Sequence, residues 1–339
     1  MNDALTPHHP PPHPLRARLI LNPYAGHAED VRAIHSAITE LRTRGWEIDV
    51  TLTARPGHGI ELARDAAQRG YQVAIAAGGD GTVNEVVNGI AHTATALAVL
   101  PVGTGNVWCR ELRLPLRPRD AAIALSQGHI LQLDLGLAGE RYFLLMAGIG
   151  FDAAVTRLVD VTLKRRLGML AYVVQALRVA RQVRGTRTRI TLDGWRTIKG
   201  RVLMVVIGNS RLYGGVLEIT HHANLTDGLL DVAVIKGQDV RAAPLHLLSI
   251  VLRRYNLNPD MAYYRAREVR VESAVPLDVQ VDGDAIGTTP MSFRVAPGAL
   301  HALVPPWIDT ADLGTGTGLR LPLLDHIRRI WIDRSPQHV

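Results

Sequence analysis

Along the first third of the chain the apolar positions switch repeatedly between two periods. Residues 18–21 read as a short buried strand that ends at Asn22-Pro23; Val31, Ile34, Ile38 and Leu41 then recur at helical spacing until Gly45. Ile48, Val50 and Leu52 alternate with polar neighbours, as in a half-buried strand. A second helical stretch covers 59–69 and ends at Gly70. Residues 73–77 are continuously apolar and run straight into Gly78-Gly79, after which Val83, Val86, Val87 and Ile90 mark a helix and 97–100 a further strand. Strands and helices alternating in this way predict a doubly wound α/β domain, a parallel sheet covered on both faces. Ligands of such sheets bind at the carboxyl ends of the strands.

Beyond Gly128 the rhythm changes. Leu131, Leu133, Leu135 and Leu137 alternate, and strands are predicted at 142–146, 189–192, 202–207, 230–235, 268–271, 277–281 and 291–295. Many strands with turn residues between them predict a β-sandwich. Helices at 155–183 and 240–255 interrupt it, and 321–334 places Leu324, Ile327, Ile330 and Trp331 on one face of an amphipathic helix. The expected organisation is a disordered Pro/His-rich tail (1–15), an α/β domain (16–130), a β-sandwich domain (131–305) and an extension (306–339) that packs back on the first domain.

Composition narrows the class. A chain of 339 residues has room for two domains, and 47% hydrophobic with 20% charged residues describes a globular protein. The single cysteine, Cys109, leaves no internal disulfide framework and no multi-cysteine zinc site, in keeping with a reducing cytoplasm. The tail lacks the apolar core of a signal peptide, and no apolar run is long enough to span a bilayer. A net charge of +7 attracts polyanions, but basic and aromatic residues do not interleave as in RNA-binding surfaces, so nucleic acid is not expected.

Chemistry concentrates in Gly78-Gly79-Asp80-Gly81-Thr82, between a buried strand and a helix. Glycines there leave main-chain N–H groups open to an oxyanion, and the helix start adds partial positive charge. A plain strand-to-helix turn capped by Thr82 would read the same way. Two further loops, Asn22-Pro23-Tyr24-Ala25-Gly26 and Pro101-Val102-Gly103-Thr104-Gly105-Asn106, fall on the same sheet edge and favour phosphate. No Walker A pattern with Gly-Lys-Ser or Gly-Lys-Thr occurs.

These three loops, with Gly208-Asn209-Ser210, Gly214-Gly215, Asp227-Gly228-Leu229-Leu230-Asp231-Val232 and Val281-Asp282-Gly283-Asp284, resemble the diacylglycerol kinase catalytic family, in its branch of soluble bacterial lipid kinases related to sphingosine and ceramide kinases. The resemblance runs from Arg16 to Pro305 in the family's order. It implies an ATP-dependent kinase acting on a lipid hydroxyl, with the site in the cleft between the two domains. It also implies that Asn22, Pro23, Gly26, Thr53, Gly78, Gly79, Asp80, Gly81, Thr82, Asn84, Gly103, Thr104 and Asn106 surround ATP. Asp227, with the carbonyls of Asn224 and Leu229, would hold a structural Mg²⁺, a hard cation suited to oxygen ligands. The family's last motif usually ends in Glu; here it ends in Asp284, shorter by one methylene and assigned as general base. Asp80 is assigned to organise metal or phosphate, with proton acceptance its other role in sphingosine-kinase-like relatives.

The expected acceptor is diacylglycerol, and the expected location is the cytoplasm, bound peripherally to the inner face of the membrane. Lys164-Arg165-Arg166, Arg178, Arg181 and Arg184 fit either a lipid-facing or a solvated helix surface. An exposed sheet edge would support a homodimer. An NAD kinase, whose phosphate loop has the same Gly-Gly-Asp-Gly-Thr run, and a non-catalytic regulator are the rival readings.

Overall fold

Four six-residue strands begin the chain: β1 (Arg16–Leu21), β2 (Glu47–Leu52), β3 (Val73–Gly78) and β4 (Ala96–Pro101). They pair in parallel in the order β2-β1-β3-β4. This computed structural model describes residues 15–25, 28–150, 184–214, 217–238, 246, 249–250 and 258–313. The predicted helices 155–183 and 321–334, most of 240–255, the N-terminal tail and Gly26 lie outside the described residues.

Every side chain of β3 and β4 is buried, which is why their sequences are continuously apolar rather than alternating. At the sheet edge the expectation for β2 fails in part. Ile48 is buried, but Val50 and Leu52 are 44% and 53% exposed, because an edge strand lacks a neighbour on one side. Helices α1 (Ala28–Thr43) and α5 (Pro118–Ser126) pack together, as do α2 (His58–Gln68) and α3 (Asp80–Ile90). A Cβ on Gly89 would come within 2.5 Å of the Ile60 carbonyl, so glycine sets how closely α2 and α3 approach. The chain runs from β1 outward to β2, then back across β1 to β3 and β4. That reversal opens a crevice between the loops that follow β1 and β3.

The second domain is a β-sandwich built on β7 (Met146–Gly150), β8 (Thr186–Leu192), β9 (Arg196–Gly208), β12 (Leu230–Lys236), β13 (Met261–Ala266), β14 (Glu268–Ser273), β15 (Asp278–Val281) and β16 (Asp284–Thr288). Its core includes Phe143, Ile149, Ile190, Val205, Val232, Val269, Val281 and Phe293. Between the domains stand α4 (Val107–Glu111), β5 (His129–Ala138), β6 (Arg141–Phe143) and a two-stranded ribbon, β10 (Leu212–Tyr213) with β11 (Leu217–Glu218).

The last strand, β17 (Met291–Val304), is far longer than the predicted 291–295. Its start pairs with β14, most of it pairs antiparallel with β5, and Ala302 meets Leu97 of β4 in parallel register. Leu300, Leu303 and Val304 thereby share a core with Leu19, Ile75 and Leu100 of the first domain. One strand thus belongs to both domains. A buried ion pair adds a second tie: Arg211 Nε donates to Glu111 Oε1 at 2.9 Å, beside α4.

Candidate active site

The three glycine loops converge through main-chain bonds and through the side chains of Asn22, Asp80 and Asn106. Asn22 N donates to the Ala77 carbonyl (3.0 Å), and Asn22 Nδ2 donates to Thr82 Oγ1 (3.2 Å), so the first loop is pinned to the second. Helix α3 starts at Asp80 with Gly79 as its cap, which puts Thr82 in the first turn and not at the cap. A Cβ on Gly78 would lie 2.4 Å from Thr82 Oγ1, and one on Gly103 would lie 2.5 Å from Gly79 Cα. Neither position has room for a side chain. Asn106, in left-handed backbone (φ 47°), closes the third loop: Gly103 N donates to its Oδ1 and its Nδ2 donates to the Gly103 carbonyl. Thr104 stays exposed between them, and Pro23 and Tyr24 stand exposed on the first loop.

Asp80 turns toward the third loop. Its Oδ1 accepts from Val107 N at 2.7 Å, and a Cβ on Gly105 would come within 2.6 Å of its Oδ2. The carboxylate therefore sits at the start of α4, among the loops. Thr53 is buried at the end of β2, its N–H donating to the Leu21 carbonyl. Glu85 is a residue that sequence reasoning missed. Thr82 and Glu85 have the spacing of a box that caps its own helix, yet the Glu85 carboxylate accepts from Gly57 N (2.7 Å) and Gly59 N (2.8 Å) of the neighbouring helix. An internal anion thus fills the N-terminus of α2, and that of α3 faces the crevice.

From the second domain comes the turn Val281-Asp282-Gly283-Asp284. Asp282 (φ 48°) and Gly283 (φ 92°) are both left-handed, the geometry of a two-residue hairpin, and they join β15 to β16. The two aspartates of the turn have opposite surroundings. Asp282 accepts four N–H groups, from Leu144 (2.8 Å), Leu145 (2.9 Å), Met146 (3.0 Å) and Asn84 Nδ2 (2.8 Å). Burial pushes its carboxyl above the ordinary range, against the pull of those donors. Asn84, predicted to touch nucleotide, is buried and gives its side chain to this junction: Nδ2 also reaches the Tyr142 carbonyl and Oδ1 accepts from Arg141 Nε.

Asp284 points the other way. Its side chain is half exposed, 3.7 Å from Arg141, and its oxygens lie 3.9 and 4.0 Å from where a Cβ on Gly81 would stand. The last motif of the chain therefore faces the first turn of α3.

The Asp227 loop forms a separate cluster. Asp227 contacts the Arg265 guanidinium and accepts from Leu229 N at 3.0 Å, while Gly228 N donates to Asp134 Oδ2 at 2.7 Å. Asp231, fully buried, accepts from Tyr263 Oη at 2.8 Å, and its other oxygen is 3.7 Å from Arg265 Nε. Burial pushes the Asp227 carboxyl up and that of Asp231 up to about 6. Carboxylates thus outnumber the single arginine, which suits an added cation. The described residues contain no cluster of three His, Cys, Asp or Glu side chains fit to ligate a metal. A cation here would take one carboxylate and complete its shell with carbonyls and water, as Mg²⁺ accepts. Asn224 fits that scheme through its main chain, because its side-chain oxygen already accepts from Thr226 N and Oγ1.

Residues 16–138 match the diacylglycerol kinase catalytic domain, and residues 146–304 match the YegS C-terminal NAD kinase beta sandwich-like domain. The chain is 34% identical over 294 residues to the probable lipid kinase YegS-like of Pseudomonas putida, covering 86% of this chain and 95% of that one. The chain belongs to the diacylglycerol kinase-like lipid kinases. The diacylglycerol kinase of Bacillus subtilis is 30% identical over 86% of this chain and 96% of its own length. A crystal structure of a diacylglycerol kinase from Bacillus anthracis superposes with a TM-score of 0.73 at 25% identity, covering 86% and 97% of the two chains.

For a lipid kinase the arrangement has a clear logic. Phosphoryl transfer asks mainly for positioning and charge neutralisation, and the crevice offers main-chain donors, a helix start and two carboxylates. Cys109, on the buried side of α4, has its thiol pushed far up by desolvation, which keeps it inert. Among the described residues no helix is long and apolar enough to cross a membrane.

Proposed function

We propose that this lipid kinase moves the γ-phosphate of ATP onto the free hydroxyl of a diacylglycerol, giving phosphatidic acid, at the cytoplasmic face of a membrane. The observation that carries the reading is Asp284 facing Gly81 across the domain boundary. The loops of Asn22, Pro23, Gly78 to Thr82 and Gly103-Thr104 hold the triphosphate, with Thr53 lining the nucleotide side. Asp80 organises the phosphates or the metal that accompanies them.

The Asp284 carboxylate takes the proton of the lipid hydroxyl. The lipid oxygen bonds to the γ-phosphorus as the bond to the β–γ bridging oxygen breaks, and ADP leaves. Arg141, 3.7 Å from Asp284, helps hold that carboxylate in place until the hydroxyl arrives. Mg²⁺, when bound, neutralises phosphate charge in the crevice. A second Mg²⁺ at Asp227 with the Asn224 and Leu229 carbonyls would fix the loop leading into β12. The open edge of β2, with Val50 and Leu52 exposed, supports a homodimer.

The test is purified protein with labelled ATP and a panel of diacylglycerol, monoacylglycerol, phosphatidylglycerol, sphingosine and NAD. Label in phosphatidic acid is the expected result. Label in NADP alone would end the reading.

A further inference from the structure

Outside the crevice, the outward face of the β8–β9 hairpin gathers four exposed cations. Both strands alternate, burying Ile190, Leu192 and Ile198 while turning Arg187, Arg189, Lys199 and Arg201 outward. The register sets like charges directly opposite each other: Arg187 faces Arg201, and Arg189 faces Lys199. Such cross-strand pairs oppose folding, so the sheet carries them against its own stability. These four cations line a shallow groove of about 650 Å³ with one carboxylate, Glu272. Glu272 stands opposite Arg189 in the register of β14 with β8, and Arg270 Nε lies 3.2 Å from it. Arg201 gives one N–H to the Gly185 carbonyl, and among the described residues no carboxylate comes within ion-pair distance of Arg187, Arg189 or Lys199. At the tip of the same hairpin Trp195 is 78% exposed.

We propose that this face is where the enzyme sits on an anionic bilayer, its cations against lipid phosphates and Trp195 at headgroup depth. The choice of a bilayer over another polyanion rests on the lipid-kinase reading, since a lipid acceptor is met only at a membrane. The physics is that of a basic patch on negative headgroups, strengthened by an amphipathic aromatic. The patch belongs to the folded sheet and is separate from the catalytic loops, so binding and chemistry are separable.

The experiment is flotation of the full chain with phosphatidylcholine vesicles, with and without phosphatidylglycerol, for the wild type, Arg189→Gln/Lys199→Gln and Trp195→Ala. The wild type is expected to float only with the anionic vesicles and to be released by salt. Each removed charge should weaken partitioning on the order of fivefold. Melting temperature, expected unchanged or higher without the like-charge pair, shows that the variants fold. Activity on diacylglycerol in neutral detergent micelles should stay at the wild-type level. The proposal is overturned if the double variant floats like the wild type, if neutral vesicles serve equally well, or if the wild type binds a duplex oligonucleotide and no vesicle. Loss of micelle activity in the wild type would instead strike the lipid-kinase reading, while flotation is scored independently.

Discussion

The two sides of the crevice are built on opposite plans. On the first-domain side the glycine loops present backbone, and their polar side chains are spent within the loops: Asn22 on the Thr82 hydroxyl, Asp80 on Val107 N, Asn106 on the Gly103 main chain. On the second-domain side the backbone is spent, with three consecutive N–H groups given to Asp282, and one side chain, Asp284, is presented. A triphosphate has many equivalent oxygens and suits a lining of N–H groups. A single hydroxyl proton needs one acceptor at one place. The nucleotide side is therefore sensitive to anything that adds bulk, and the acceptor side to anything that alters one carboxylate.

Substitutions can break that contrast, and their expected effects fall in order. Asp284→Asn keeps the shape and removes the proton acceptor; turnover should fall on the order of 10³-fold while ATP affinity persists, measured by single-turnover transfer beside calorimetry. Normal turnover in that variant would remove Asp284 from the mechanism. Asp282→Ala strands buried donors and should cost about 3 kcal/mol of stability in urea unfolding, its loss of activity following from the fold rather than the chemistry. In Gly103→Ala the new Cβ presses on Gly79 Cα, and ATP binding should weaken on the order of tenfold, about 1.4 kcal/mol. An unchanged nucleotide affinity would show that this backbone contact does not shape the phosphate site. Arg141→Gln is the mildest: with Asp284 half exposed and 3.7 Å away, solvent screens the pair and turnover should drop only a few-fold.

Where burial is complete, sequence and structure agree closely. β3 and β4 were legible because every position is apolar and a glycine or proline ends each run. The length of β17 was hidden by Pro297-Gly298, which reads as a turn. In the folded chain those residues form a bulge: the register shifts between Ala296 and Leu300, and Gly298 (φ 58°) donates its N–H to Asp134. Strand β13 and the short β16 escaped notice because half-exposed strands carry little hydrophobic signal. In the site, the loops and Asp284 were visible as motifs. The roles of Asp282, Asn84 and Glu85 were not, since their partners lie on other elements and only tertiary packing brings them together.

Strand β17 has a consequence for how the chain is made. The first domain lacks its last sheet neighbour until residues near 304 have been synthesised, although β4 was finished some 200 residues earlier. At translation rates of about 5–20 residues per second, the β4 edge waits on the order of ten to forty seconds. An open, fully apolar edge strand is a template for wrong pairing. Newborn chains should therefore depend on protection at that edge until the ribosome has delivered Leu300 to Val304.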